Sequence, residues 1–328
     1  MKYFKSSMVI TVIGLIIAYF IGGLYAVYIT ALLAVLEVSL SFDNAVVNAK
    51  VLNTMEPVWQ KRFITFGIPI AVFGMRFLFP IIIVSVAGGL GIVETFDLAI
   101  NNPQAYQHTL ENVEKLIYAF GGAFLLMVFL GFLFDDDRED KWIKVIEDSS
   151  LVNKMGTIAD IEIMIAISIG IYLTYLTGES AIAIAYFTGI LLYSFISSLD
   201  DLMSTDGVRS GIMGLLYLEV LDASFSFDGV IGSFALSSNI FIIMIGLGIG
   251  AMFVRSLTIY FVEQKTLAEY KYLEHGAHYA IAALAFVMLS KIFFHIPEAI
   301  VGTIGITFIA IASYHSILEN KKSEKEEK

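Results

Sequence analysis

A chain of 328 residues that is 58% hydrophobic and 16% charged, with mean hydropathy +0.80, is too apolar for a soluble domain, where about a quarter of residues carry charge. It reads as an all-α polytopic membrane protein. The net charge of −11 gives no nucleic-acid signal, and the lack of cysteine excludes disulfides, thiolate metal sites and cysteine nucleophiles.

A membrane-crossing helix needs about 20 mostly apolar residues. Ten stretches qualify: 8–25, 27–49, 63–88, 114–134, 158–177, 180–199, 212–236, 239–261, 278–296 and 299–317. Lys2 and Lys5 before the first stretch resemble a leader, but no clean small-x-small site follows, so the stretch is kept as a span. Ser237-Ser238-Asn239 supplies turn chemistry between the seventh and eighth spans, and Pro297 breaks the last two. The segment 135–157 is read as an acidic, solvated cytoplasmic loop, and 319–328 as a disordered charged tail.

With both termini in the cytoplasm, sixteen of the 20 Lys and Arg residues fall on the inner side. The outer side then holds only Lys115, and Arg76, Arg255 and Lys291 lie within spans. This bias fixes the orientation and supports ten spans in a cell (inner) membrane.

Seven residues occur twice. Glu37-Val38-Ser39-Leu40-Ser41-Phe42-Asp43 in the second span returns as Asp222-Ala223-Ser224-Phe225-Ser226-Phe227-Asp228 in the seventh. The copies lie five spans apart, an odd offset, so the second is inverted relative to the first. Each copy is followed by a span with a single arginine, Arg76 or Arg255. The expected architecture is two inverted five-helix repeats. The first comprises spans 1–4 within residues 1–134 plus span 5 at 158–177, and the second covers 178–318. Transporters of this build hold substrate between the repeats near the midplane.

At about 100° per residue, Ser41, Asn44 and Asn48 fall within about 40° of Glu37, while Asp43 lies about 120° away. In the second copy Glu219, Asp222 and Ser226 share one face and Asp228 lies opposite Glu219. Either the bundle surrounds both faces, or the helices break at Ser-Phe-Asp. Carboxylates in hydrocarbon are costly and mark function by default. The expected metal set is Glu37, Asp43, Asn44, Glu219, Asp222 and Asp228, supported by Ser41, Asn48, Ser226, Arg76 and Arg255. Such hard oxygen donors suit Mg, Ca and Mn. Arg76 and Arg255 neutralise two acids, as structural ion pairs or as gates. The five histidines are read as non-ligands.

Glu37 to Asn44, EVSLSFDN, resembles the signature of the TerC family of integral membrane proteins, and Glu219, Asp222, Phe225 and Asp228 resemble its later E-x-x-D-x-x-F-x-x-D pattern. The chain looks like that family's longer branch, the domain of unknown function DUF475. TerC is named for tellurite resistance, and the resemblance implies export of manganese, with looser links to calcium. Gly229 departs from the Ser that members often carry there.

The expectation is therefore an exporter of a divalent cation, Mn²⁺ or Ca²⁺, that exchanges it for protons. It works in the lipid bilayer with no permanently bound cofactor, and a homodimer is left open as its assembly. The alternatives are a non-transporting scaffold for metal homeostasis or membrane-protein assembly, and an exporter of another ion such as Na⁺ or of a small solute. An aspartyl protease would need Gly-x-Gly-Asp and Tyr-Asp signatures, which are absent, so no enzyme is expected.

Overall fold

The computed structural model describes residues 2–135, 138, 140–203, 211–234 and 236–326. The side chains at 64, 67–69, 71–73, 75, 200, 201, 203, 225–228, 268, 298, 299 and 323–326 lie outside that description. Among the described residues every regular element is helical.

The chain runs α1 (Lys5–Leu40), α2 (Phe42–Asn53), α3 (Pro57–Pro69), a π-helical segment (Ile70–Leu78) and α4 (Phe79–Gly88). Then come α5 (Ile92–Asn101), α6 (Pro103–Leu133), α7 (Lys144–Glu147) and α8 (Ser150–Gly156). The rest is α9 (Ile161–Thr177), α10 (Ser180–Met203), α11 (Gly211–Ser233), α12 (Ile240–Glu263), α13 (Thr266–Glu269), α14 (Leu273–Lys291) and α15 (Glu298–Glu326).

Among the described residues, five helices are long and apolar enough to cross a membrane, or up to seven if two bent pairs each count as one span. Each of the ten expected stretches lies on helix. Two of them share α1, which is not one rod. Its helical geometry fails at Gly22 and Gly23, where Gly23 takes φ 66° and ψ −156°. The chain reverses there. Ser7 Oγ donates to the Met252 carbonyl at 2.8 Å and lies 2.6 Å from Ser256 Oγ. Thr11 and Leu15 line the same cleft as Ala34 and Val38. The two arms of α1 thus flank α12 in opposite directions. The other two uncounted stretches lie on α11, which carries three acids, and on α14, whose first turns hold Glu274, His275 and His278.

Close approach fixes the second arm on α12. A Cβ on Gly250 would come within 2.8 Å of the Ala34 carbonyl oxygen, and one on Gly246 within 3.0 Å of that of Thr30. Small residues of this kind let membrane helices approach backbone to backbone. At the centre, α6 packs on α9, α10, α11 and α14 through Phe124, Leu125 and Met127, all fully buried. Phe20, Leu24 and Tyr175 are 78–82% exposed on the outer surface, where lipid replaces water.

One open alternative resolves and two expectations need revision. The first motif bends between Leu40 and Phe42, at Ser41 (φ −109°, ψ 17°), whereas α11 runs unbroken through the second. The segment 135–157 is not simply a solvated loop: it contains α7 and α8 and a buried acid, Glu147. The tail from 319 continues α15 as helix as far as Glu326, and Asn320 Nδ2 donates to the Glu269 carbonyl at 2.9 Å. Helix α5 also lies outside the expected stretches. Short, amphipathic α5 is set at 117° to the preceding helix across Gly89.

Candidate functional site

Glu37 ends the second arm of α1, and Ser41 and Asn44 follow across the bend. Ser41 Oγ donates to Glu37 Oε1 at 2.9 Å. Asp222 faces them from α11. Asn44 Nδ2 donates to Asp222 Oδ1 at 2.6 Å, which joins the two motif copies directly. Arg76 enters from the π segment and bridges both acids. Its Nη1 donates to Asp222 Oδ2 at 3.0 Å, and its Nη2 donates to Glu37 Oε1. Glu37 and Arg76 are each about 1% exposed in their side chains. A π segment is rare and often marks a functional position; here it carries the arginine that joins the two motif copies.

The bridge leaves donors and acceptors unused. Glu37 Oε2, Asn44 Oδ1, Asn48 Oδ1 and Arg76 Nε are buried without a hydrogen-bond partner. Glu37 Oε2 lies against Gly229: a Cβ there would be 3.1 Å from it. Orphaned buried polar atoms are uncommon in folded proteins and call for an explanation.

Next to the bridge is a cavity of about 30 Å³ lined by Asn48, Arg76, Glu219, Asp222 and Arg255. It holds a water-sized guest. Arg255 closes its far wall, stacked over the Phe63 ring at 4.9 Å and donating through Nη2 to the Phe63 carbonyl. Three acids and two guanidiniums therefore share one region: buried Glu37, Arg76 and Arg255 with half-buried Asp222 and Glu219.

Asp43 does not join them. It is buried on the other side of α2, lining a small apolar pocket with Leu284, Val301 and Gly305 of α14 and α15. Its Oδ1 has no hydrogen-bond partner. This is the divergence the helical spacing predicted. The side chains of Ser226 and Asp228 lie outside the described residues. Among the described residues, no three His, Asp or Glu side chains are grouped so as to hold a metal ion.

Sequence reasoning missed a second polar cluster, at the end of the bundle that carries α7. Glu147 is 1% exposed. Its carboxylate accepts from the Trp142 and Ile143 amides at 3.2 and 3.1 Å and from Tyr279 Oη at 3.1 Å. Arg138 lies 3.3 Å and His275 3.4 Å away. Burial alone would push this carboxyl up, but His275, the Ile143 amide and Arg138 outweigh it and hold it at about 2. Trp142 Nε1 donates to His315 Nδ1 at 2.8 Å, which ties the segment to α15. A tryptophan amid the charges of 135–148 was the available signal.

Neither a curated protein nor a solved structure matches the chain. The family model described as a protein of unknown function, DUF475, matches residues 42–323, which take in the second motif, Asp43 and Asn44 at the end of the first, and both arginines, and the chain belongs to that family.

Proposed function

We propose that this membrane protein transports a divalent cation, with Mn²⁺ as the leading substrate, through a site shared by the two motif copies. The observation that carries the reading is the buried bridge of Glu37, Arg76 and Asp222. Each acid comes from a different copy, and one guanidinium holds the place between them. With all groups ionised, three acids face two arginines, a net charge of −1, and once Arg76 swings aside three acids face one arginine, a net charge of −2 that matches one divalent ion.

Glu37 Oε2 and Asn44 Oδ1 have no partners, and movement of Arg76 would free Glu37 Oε1 and Asp222 Oδ2 beside them. Those are hard oxygen ligands of the kind Mg²⁺, Ca²⁺ and Mn²⁺ accept. Arg76 then acts as an internal competitor for the substrate. Asp43, alone among apolar side chains, is suited to carry the exchanged proton apart from the cation. Export from the cytoplasm in exchange for protons, by rocking of two inverted halves, follows the resemblance to TerC proteins and the lysine bias of the loops.

The bridge also favours a second reading, in which Arg76 only fixes the helices of a non-transporting scaffold. Thermal unfolding of the purified protein with added Mn²⁺, Ca²⁺ or Mg²⁺ separates the two. A ligand at 100 times its Kd adds about 2.7 kcal/mol of stability. A shift with Mn²⁺ that disappears in Asp222→Asn supports the cation site. No shift with any of the three supports the scaffold.

A further inference from the structure

A second, far larger cavity lies between α6, α11 and the α14–α15 junction, with a volume of about 710 Å³. Its rim carries Glu111, Glu114, Lys115, Lys291 and His295. Charged groups in contact with hydrocarbon are expensive, and they face protein or water instead. Such a rim fits a water-filled chamber, not one filled by lipid tails. Acids and bases are balanced on it, so it is built for passage and not for storage of one ion.

The floor is apolar, made by Leu36, Ile231 and Gly232. Leu36 is the neighbour of Glu37. Gly232 is one helical turn beyond Gly229, the residue against which the partnerless Glu37 Oε2 lies. The same order holds along each of the helices that meet there. On α1 and α2 it is Leu36, Glu37, Asn44 and then Asn48. On α11 it is Gly232, Gly229, Asp222 and then Glu219. The large chamber thus adjoins one side of the bridge, and the small cavity of Asn48, Glu219 and Arg255 adjoins the other.

We propose that the chamber is the outer vestibule of the transport path, separated from Glu37 by a single layer formed by Leu36, Ile231 and Gly232. Its role as a cation route rests on the proposed function; its being filled with water does not. The bridge is then the barrier between the two sides, and the residues of the floor are the ones that part when the site opens outward.

The absence of cysteine makes the test direct. Leu36→Cys and Ile231→Cys place thiols on the floor. Val35→Cys, adjacent in sequence and 65% exposed where it lines the apolar cleft between the arms of α1, is the control outside the chamber. Each variant is checked for a single folded species by gel filtration, then treated with a membrane-impermeant maleimide from the face opposite the lysine-rich loops, with no metal added. The thiolate is the reacting form, and each pK unit that apolar surroundings add removes a factor of about ten from it. Either floor variant reacting at least about tenfold faster than Val35→Cys is the expected result. Reaction no faster than Val35→Cys in the folded floor variants, or only from the lysine-rich face, overturns the vestibule. Because no metal is involved, labelling without cation transport would leave the vestibule standing and remove the cation from it.

Discussion

Asn44 and Asp222, 178 residues apart and one from each copy of the repeated motif, are joined side chain to side chain at 2.6 Å. Arg76 completes the joint by holding Asp222 on one guanidinium nitrogen and Glu37 on another. The helices that carry the two copies therefore meet through charge and amide groups, with Glu37 and Arg76 almost fully buried.

Removing Arg76 leaves buried Glu37 and half-buried Asp222 without their counter-ion. Breaking a buried ion pair from one side costs about 3–5 kcal/mol. Arg76→Met is expected to lose stability in that range by thermal unfolding in detergent. Arg76→Lys should lose less, because it keeps the charge but not the two-pronged reach. Adding Glu37→Gln and Asp222→Asn to Arg76→Met should recover most of the loss. If the triple variant is no better than Arg76→Met, the cost does not come from the stranded charges.

Gly23 sits at φ 66° and ψ −156°, a region that glycine alone occupies readily, and a Cβ there would touch nothing within 4 Å. The effect of Gly23→Ala is therefore a backbone effect, of about 1–3 kcal/mol. It should act on the reversal between the arms of α1. Faster hydrogen exchange around Ser7, with Glu37 unaffected, is the expected pattern. Unchanged exchange in both arms would mean that the turn does not hold them.

The Glu147 cluster makes a pH prediction. Its carboxyl is depressed in the folded protein to about 2, from an ordinary 4.5. The folded state thus binds fewer protons there than the unfolded state. Its contribution to stability is in full force above about 4.5 and is lost as pH falls toward 2. Trp142 reports on the same segment. In a Trp59→Phe background, its fluorescence should change over that window, and Glu147→Gln should remove the transition. A transition that persists in Glu147→Gln would assign it to another group.

The ten apolar stretches were legible because span length and hydropathy are strong signals, and all ten coincide with helix. The divergence of Asp43 from Glu37 was legible too, since 100° per residue survives a mild bend at Ser41. Arg76 was visible as a neutraliser. Its simultaneous grip on Glu37 and Asp222 was not, because that contact depends on a π segment whose composition resembles any apolar helix. Helix α5 was hidden by its length and by Glu94 and Asp97, which lower its hydropathy below that of a span. Glu147 read as one more loop acid. Its burial depends on His275 and Tyr279 from a helix more than 120 residues away, and no local pattern announces such a contact.

The most direct test of a cation site shared by the two motif copies is flux. Purified protein is placed in liposomes with a pH-sensitive dye inside, and Mn²⁺ entry is followed beside Ca²⁺ and Mg²⁺. Mn²⁺ entry with opposite proton movement, lost in both Glu37→Gln and Asp222→Asn while each variant stays folded, is the expected result. Mn²⁺ flux unchanged in both variants, or no flux of any of the three ions through the folded wild-type protein, would contradict it.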